Sequence, residues 1–449
     1  MQTVTTLPVS GYRGIWGENL NPEIVKNLTR AFGMFIQKRN GNKILIGRDA
    51  RTSGEEILGI IADNLRKMGF DVTDAGIVPT PTILFLVKKD GFDGALIATA
   101  SHNPKEYNGI KFVTGRGLFT TENEGQEIIS YLGKEIKNDF KEGFYKKEKD
   151  LWKKHIEHIV SCVDKEKIRA KNFHVVIDAI NSTGAVVDPY FFELLGVNAT
   201  IINKIPDGNF AHMPEPLPEN LSQLEEKVRE LGANIGFAQD PDADRLVICN
   251  EKGEVISEEY TLTLGLLGIL TENIGDIVIN LSTSSVNEIV AKDFGSKTYR
   301  SKVGEGNVVE MMHQVGAIAG GEGGGGFIYP KMNEARDSLA GMAMILSLLE
   351  KKGGEISKIV ESLPKIVMVK KKIPKIKNME NIEDTLKEAF PEALQDNRDG
   401  IRSDFKDGSW ISIRASNTEP ILRIMAEAKT KEEAVGLVNR VENAISTDS

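Results

Sequence analysis

The chain has 449 residues, of which 40% are hydrophobic and 27% charged, and 56 Lys and Arg against 65 Asp and Glu leave a net charge of −9. That apolar content supplies several cores and excludes a mostly disordered chain, and at ~150 residues per domain the length points to two to four domains. The acidic balance argues against a general nucleic-acid-backbone binder, yet a few local cations suffice for a small phosphorylated ligand.

Asn21 and Pro22 read as the N-cap and first position of a helix, behind which Ile24, Val25, Leu28, Ala31, Phe32 and Phe35 keep helical spacing. KILIG (43–47) reads as a buried strand. Ser53 and Glu56 fit a capping box, and Ile57, Leu58, Ile61, Leu65 and Met68 continue a helix that stops at Gly69. A strand near 71–75, a helix after Pro81 and the strand ALIATA (95–100) follow. Strands separated by helices predict a parallel α/β sheet. The unit recurs in HVVID (174–178), a helix near 184–195 and ATIIN (199–203). It recurs again in IVIN (277–280), a helix near 285–294, KTYRS (297–301), a helix near 305–314 and GAIAG (316–320). The pattern predicts a threefold repeat with little sequence identity. IRSDF, a KDG turn, SWISIRA, ILRIMAEA and a closing helix read differently, as an α+β unit. The boundaries expected are 1–150, 151–252, 253–365 and 366–449. The Lys run from Lys365 to Lys377 reads as a solvated face.

Two cysteines, Cys162 and Cys249, stand far apart without CxxC spacing. Neither a disulfide framework nor a thiolate metal site is expected, and a reducing, cytoplasmic setting fits. The opening MQTVTTLPVSGYRG lacks the basic-then-apolar order of a signal peptide. No apolar run approaches the ~18 residues of a membrane span.

Four segments stand apart from the scaffold. Thr99-Ala100-Ser101-His102-Asn103-Pro104, running to Lys111, follows a strand. Ligands sit beyond the carboxyl ends of strands in open parallel sheets. Ser101 is therefore a candidate nucleophile or phosphate carrier, although Ser-His-Asn-Pro is also plain turn chemistry. Asp240, Asp242 and Asp244 alternate between two strand patterns. Such carboxylates share a face of an extended segment, and each adjacent pair repels by ~4 kcal/mol near a protein surface at 4 Å. A divalent cation relieves that repulsion, and an all-oxygen set favours Mg²⁺. Gly320 to Gly326 surround Glu322 with six glycines, either a flexible linker or a loop closing on a ligand. Arg414-Ala415-Ser416-Asn417-Thr418-Glu419-Pro420, with Arg423 beyond it, combines Arg, hydroxyls and turn backbone, the chemistry of an anion site. A phosphorylated sugar satisfies all four at once.

With these segments in hand, the sequence resembles the alpha-D-phosphohexomutase superfamily over essentially its whole length. TASHNPKEYNGIK is similar to the family's phosphoserine loop, DPDADR to its metal loop, GEGGGG to its sugar loop and RASNTEP to its phosphate loop, in the family's order. VSGYRGIWG and GRDART (47–52) also resemble family segments. The resemblance implies four domains around a central cleft, three similar α/β domains with mixed or parallel sheets and a C-terminal α+β domain. It implies a phosphorylated Ser101, with Asp240, Asp242, Asp244 and the phosphoserine holding Mg²⁺. Arg13, His102, Lys111 and Arg245 match positions at the reacting centre, with Lys111 or His102 as the general base. Arg48, Lys302, Glu322, Gly324, Arg414, Ser416, Asn417, Thr418 and Arg423 match substrate-binding positions. The implied reaction interconverts hexose 6-phosphate and hexose 1-phosphate through a 1,6-bisphosphate, which also serves as activator. No nucleic acid or membrane partner is implied, and the chain is expected to be a monomer or homodimer.

One departure stands out. Many relatives carry GExSGH, where this chain has Gly324 at the Ser position and Gly326 at the His position. The opening and the GGEG stretch resemble chains acting on glucosamine phosphate, with mannose and glucose phosphates as the alternative. A protein that binds sugar phosphate but barely turns it over is the reading from another class.

Overall fold

The computed structural model describes residues 11–135, 141–374, 382–415 and 421–447. Three of its sheets repeat one plan. In the first, Lys43–Arg48 pairs in parallel with Asp71–Ile77 on one side and Gly94–Ala98 on the other, and Tyr107–Thr114 returns antiparallel to Gly94–Ala98. In the second, His174–Asp178 lies between Asn198–Ile202 and Ile235–Gln239, and Leu246–Cys249 returns antiparallel. In the third, Ile277–Asn280 lies between Thr298–Ser301 and Ala319–Glu322, and Gly326–Ile328 returns antiparallel. The pattern-level repeat is thus a repeat of topology. Tyr12–Ile15, Leu118–Phe119 and Tyr145–Lys147 extend the first sheet. The fourth sheet differs, because Val367–Pro374, Ile421–Ala428, Trp410–Ala415, Ile401–Asp404 and Leu394–Asp396 are joined by antiparallel pairings only.

This plan puts one turn of each α/β unit in the same place, between its third strand and the antiparallel return. Those turns contain Ser101, Asp240 to Arg245, and Gly323 to Gly325. Each uses left-handed backbone. Ser101 has φ +50° and Ala243 φ +53°, while Gly324 and Gly325 have φ +77° and +87°. Non-glycine residues avoid this region, and where one persists the surroundings over-determine it.

One continuous apolar core serves all three α/β units. It joins Ile83, Leu86 and Val87, Ile156 and Phe191, and Leu262, Ile345 and Leu349. The fourth unit has its own core around Ile411, Ile424 and Val441. Its contacts with the third unit are polar: Arg402 Nη1 donates to Leu281 O at 2.6 Å, Val303 N–H to Asp399 Oδ2 at 2.8 Å, and Ser285 N–H to Glu427 Oε1 at 2.9 Å. Polar joints of this kind permit relative motion more readily than a shared core.

Local signals were used in unequal measure. Asn21 caps the helix Pro22–Gln37, its side chain accepting from Ile24 N–H. Ser53 precedes Gly54–Lys67 without making a side-chain cap, because its Oγ accepts from Asn108 Nδ2 at 2.8 Å instead. The capping box expected there is therefore replaced by a tie to the strand that follows the Ser101 loop. Nor is the Lys run uniformly solvated, since Lys370 Nζ bonds Glu258 at 2.7 Å and Glu259 at 2.8 Å across the joint to the third unit. Lys375 and Lys377 lie outside the described residues.

Candidate active site

Ser101 lies 2% exposed at the mouth of the first turn. Its Oγ donates to Asp240 Oδ2 at 2.7 Å and lies 3.3 Å from His102 Nδ1, and its N–H donates to Thr99 Oγ1 at 2.9 Å. Burial, reinforced by the charges of Arg245 and Arg13, pushes the His102 imidazole well below its usual range. It therefore stays neutral near pH 7. Arg13, on the strand beside this turn, donates from Nη1 to Asn103 Oδ1 at 3.0 Å.

The three aspartates converge, though not by strand alternation. Residues 240–245 form a turn, with Ala243 left-handed and its N–H donating to Asp240 O at 2.9 Å. Asp244 and Arg245 N–H both donate to Asp240 Oδ1 at 3.1 Å, so the turn curls around its first carboxylate. One oxygen from each aspartate lies within 4.8 Å of the others. Lys111 Nζ bonds Asp242 at 2.6 Å and Asp244 at 3.2 Å, and Thr80 Oγ1 donates to Asp242 Oδ2 at 2.6 Å. Asp242 Oδ1 and Asp244 Oδ1 remain buried without a hydrogen-bond partner. Orphaned anionic oxygens of this kind are costly unless something cationic engages them. Burial, then the charges of Asp244 and Asp242, push Asp240 well above the carboxylate range. Burial works against the Lys111 ammonium, but Asp242 and Asp244 outweigh it and raise its pKa.

The glycine segment is a tight hairpin and not a linker. A Cβ at Gly325 would stand 2.4 Å from Leu246 O, and one at Gly326 would stand 2.6 Å from Arg336 Cδ. Glu322 is buried, its Oε1 accepting from Asn280 Nδ2 at 2.7 Å and Gly304 N–H at 2.6 Å. Gly324 leaves space beside Arg245, whose Nη1 would lie 3.8 Å from a Cβ there. Arg245 also faces Glu215 at 3.6 Å.

Arg414 and Arg423 are direct partners across the strands Trp410–Ala415 and Ile421–Ala428. Like charges directly opposite destabilise a sheet unless they are compensated. Arg414 Nε also bonds Asp399 Oδ1 at 2.9 Å. Ser416, Asn417 and Thr418 lie outside the described residues. Lys302 is exposed, one residue before the Val303 N–H that reaches Asp399. Arg48 is half-buried and donates from Nη1 to Asp49 O at 3.0 Å.

Sequence reasoning missed Arg336. Its guanidinium bonds Asp244 at 2.6 Å, Glu305 at 3.1 Å and Glu322 at 3.2 Å, and so ties the aspartate turn to the glycine hairpin. The only local signal was Arg-Asp-Ser before a helix, where Asp337 accepts from Leu339 and Ala340 N–H as N-cap.

Comparison with known proteins decides the family. Phosphoglucomutase/phosphomannomutase alpha/beta/alpha domains I, II and III match residues 6–139, 153–253 and 260–367, and the C-terminal domain of that family matches 368–444. The chain belongs to the phosphoglucomutase/phosphomannomutase family. It is a phosphohexomutase, an enzyme of the isomerase class. A phosphoglucomutase/phosphomannomutase of Thermococcus kodakarensis is 36% identical over 444 residues, covering 94% of each chain. A phosphoglucosamine/phosphogalactosamine mutase of Sulfurisphaera tokodaii is 34% identical, covering 97% of this chain and 98% of that one. A probable phosphoglucosamine mutase of Methanopyrus kandleri is 32% identical, covering 95% and 94%. A crystal structure of a phosphoglucomutase/phosphomannomutase family protein from Burkholderia thailandensis superposes with a TM-score of 0.85 at 26% identity, covering 100% of this chain and 98% of the other. Among the described residues, no helix is long and apolar enough to cross a membrane.

Proposed function

We propose that this phosphohexomutase interconverts glucosamine 6-phosphate and glucosamine 1-phosphate, with Ser101 carrying the phosphoryl group between two half-reactions. The observation that carries the mechanism is Ser101 Oγ placed 2.7 Å from Asp240, inside a buried carboxylate triad that keeps two unpartnered oxygens. The substrate rests on relatives such as the Methanopyrus kandleri and Sulfurisphaera tokodaii proteins, whose names include phosphoglucosamine mutase.

The donor set fits a hard divalent cation. Asp240, Asp242 and Asp244 would hold Mg²⁺ with an oxygen of phosphorylated Ser101, and when bound it neutralises charge on the phosphoryl group. The chain's own residues do the rest. In the forward direction the substrate's 1-hydroxyl oxygen attacks phosphorus, the bond from phosphorus to Ser101 Oγ breaks, and a 1,6-bisphosphate forms. After the intermediate turns over, Ser101 Oγ attacks the 6-phosphoryl group, and the 6-oxygen leaves with a proton. Each step moves one phosphoryl group and one proton, so alignment and charge stabilisation carry most of the catalysis. Arg13, Lys111 and Arg245 surround that path with positive charge. His102 and Lys111 are the two groups placed to exchange the proton. His102 is already in the basic form, whereas Lys111 must first lose the hold of Asp242 and Asp244. Glu322 orients the sugar, Gly324 and Lys302 border it, and Arg48 borders the Ser101 turn. Arg414 and Arg423, with Ser416, Asn417 and Thr418, hold the phosphate not in transfer.

Phosphorus NMR with Mg²⁺ and a trace of 1,6-bisphosphate tests this, with glucosamine, galactosamine, mannose and glucose 6-phosphates run in parallel. Fastest conversion of glucosamine 6-phosphate is expected. Faster conversion of glucose or mannose 6-phosphate would select the reading favoured by the Thermococcus kodakarensis relative at 36% identity. Binding without conversion of any sugar overturns the proposal.

A further inference from the structure

Among the described residues, Arg51 makes no hydrogen bond to the side chain of any residue assigned a role in transfer, yet it is the most fully bonded cation near them. Its side chain is completely buried beside Asp49. A guanidinium has five N–H donors, and here all five are used. Nε donates to Asp49 Oδ2 at 3.0 Å, Nη1 to Pro104 O at 2.6 Å and Tyr107 O at 3.0 Å, and Nη2 to Ser101 O at 2.5 Å and Asn103 O at 2.7 Å. Three of the five acceptors are carbonyls of the turn that presents Ser101, and a fourth, Tyr107 O, opens the strand that follows it. Asp49 in turn accepts from Thr99 Oγ1 at 2.7 Å, and the same Thr99 oxygen accepts the Ser101 N–H. Phe210, from the second α/β unit, lies over the guanidinium with its ring centre 4.9 Å from Cζ.

We infer that Arg51 is a positioning residue for phosphoryl transfer: it is the template that holds Ser101 in its left-handed backbone and so aims Oγ at the aspartate triad. The inference rests on the phosphoserine reading above. Ser101 has φ +50°, a conformation that a serine turn would leave if unsupported. Two hydrogen bonds reach its own backbone, its carbonyl accepting from Arg51 and its N–H donating to Thr99, beside the turn bond from Asn103 N–H to Ala100 O at 3.1 Å, and Asp49 joins the first two anchors. Lysine cannot replace the fork, because its ammonium has three donors on a single atom and no planar geometry. The sugar- and phosphate-holding residues other than Arg48 lie on other units, so a loosened turn should slow transfer and leave substrate affinity alone.

The test compares the full-length parent with Arg51→Lys, Thr99→Val and Thr99→Ser. Steady-state kinetics are read on glucosamine 6-phosphate, and the rate of Ser101 phosphorylation by the 1,6-bisphosphate is read as a mass gain of about 80 Da. Misplacing a reacting group by about 1 Å can cost 100-fold. Arg51→Lys and Thr99→Val are therefore expected to lower kcat and the phosphorylation rate by ~10- to 100-fold with KM unchanged. Thr99→Ser, which keeps the hydroxyl, should recover most of the rate. Should Arg51→Lys fail to fold, the Thr99 pair decides. Folded variants with kcat within threefold of an active parent, or with KM rising while kcat holds, overturn the inference alone. A parent that neither isomerises nor takes up the phosphoryl group overturns the functional reading and this inference with it.

Discussion

Replacing Arg336 by Met removes the cation that links the aspartate turn to the glycine hairpin while keeping an apolar stem of similar length. Three carboxylates lose a partner, at 2.6, 3.1 and 3.2 Å. They do not suffer equally. Burial pushes Glu305 up to about 8, against the pull of Arg336, so at pH 7 it already carries its proton. Glu322 keeps Asn280 and Gly304 N–H, and Asp244 keeps Lys111 at 3.2 Å. Breaking a buried pair by removing one partner costs about 3–5 kcal/mol, and these remaining bonds place this case near the lower limit of about 3. At roughly 2–4 °C per kcal/mol for a unit of this size, the melting temperature should fall by roughly 6–12 °C. Calorimetry in chelator, then with Mg²⁺, is the assay. The deficit should shrink on adding Mg²⁺, because a cation at the triad relieves the orphaned Asp244. A variant melting within 2 °C of the parent in chelator (a limit set at about a third of the smallest expected shift) would refute the idea that Arg336 braces the site.

Ser101→Ala should lower turnover by at least about 1,000-fold while leaving the fold intact, since a covalent carrier has no substitute; near-normal kinetics in that variant would end the phosphoserine mechanism. Glu305→Gln tests a pH dependence. The folded pKa of about 8 lies above the unfolded value of about 4.3, so between them the folded state binds more protons and the parent loses stability as pH rises, by up to ~1.4 kcal/mol per unit. The stability of Glu305→Gln relative to the parent, measured in chelator, should therefore increase from pH 5 to pH 8, and parallel pH curves would contradict it. Asp399→Ala cuts the link from Arg414 to Val303 N–H and should raise KM several-fold through a loosened fourth unit; an unchanged KM would show that the joint holds without it. Gly325→Ala forces a Cβ to 2.4 Å from Leu246 O at φ +87°, and denaturant melts should show a loss of at least ~2 kcal/mol.

The scaffold was legible because its signals are local. Apolar runs such as KILIG and IVIN and the alternation of strand and helix give the parallel sheets, and the chemistry-bearing turns follow strands directly. What escaped depends on packing between segments far apart in sequence. The carboxylates were expected to converge along an extended segment, but a left-handed Ala243 curls the chain so that backbone N–H groups reach Asp240. Arg48 and Arg51 sit in one short segment, and only the fold shows that Arg51 enters the Ser101 turn while Arg48 turns to Asp49 O. Arg336 meets Asp244 across 92 positions of sequence, a separation over which no spacing rule acts. Ser53 has capping chemistry, and a tertiary partner, Asn108, takes its hydroxyl.

The site is built from three copies of one hairpin position, and that explains how the glycine-rich segment can lack side chains at 324 and 326 without emptying the site. The Ser101 and aspartate turns hold a left-handed residue through hydrogen bonds to its neighbours, whereas the third turn reaches similar backbone with glycines alone. A glycine turn carries no side-chain chemistry, so its charge must arrive from elsewhere. Arg336 supplies it, and the glycine at 326 leaves it room. A side chain at Gly326 would strike Arg336 Cδ at 2.6 Å, and the Arg336 head is fixed by Asp244, Glu305 and Glu322, so it cannot retreat without breaking those bonds. A side chain at 326 and the Arg336 brace therefore compete for the same space. The asymmetry in chemistry follows. An imidazole changes charge near neutral pH, but the Arg336 guanidinium, raised further by Asp244, Glu322 and Glu305 against its burial, stays charged throughout. This turn can orient and neutralise, and in the proposed mechanism the exchange of protons falls to residues of the first unit, where His102 and Lys111 face Ser101 and the triad.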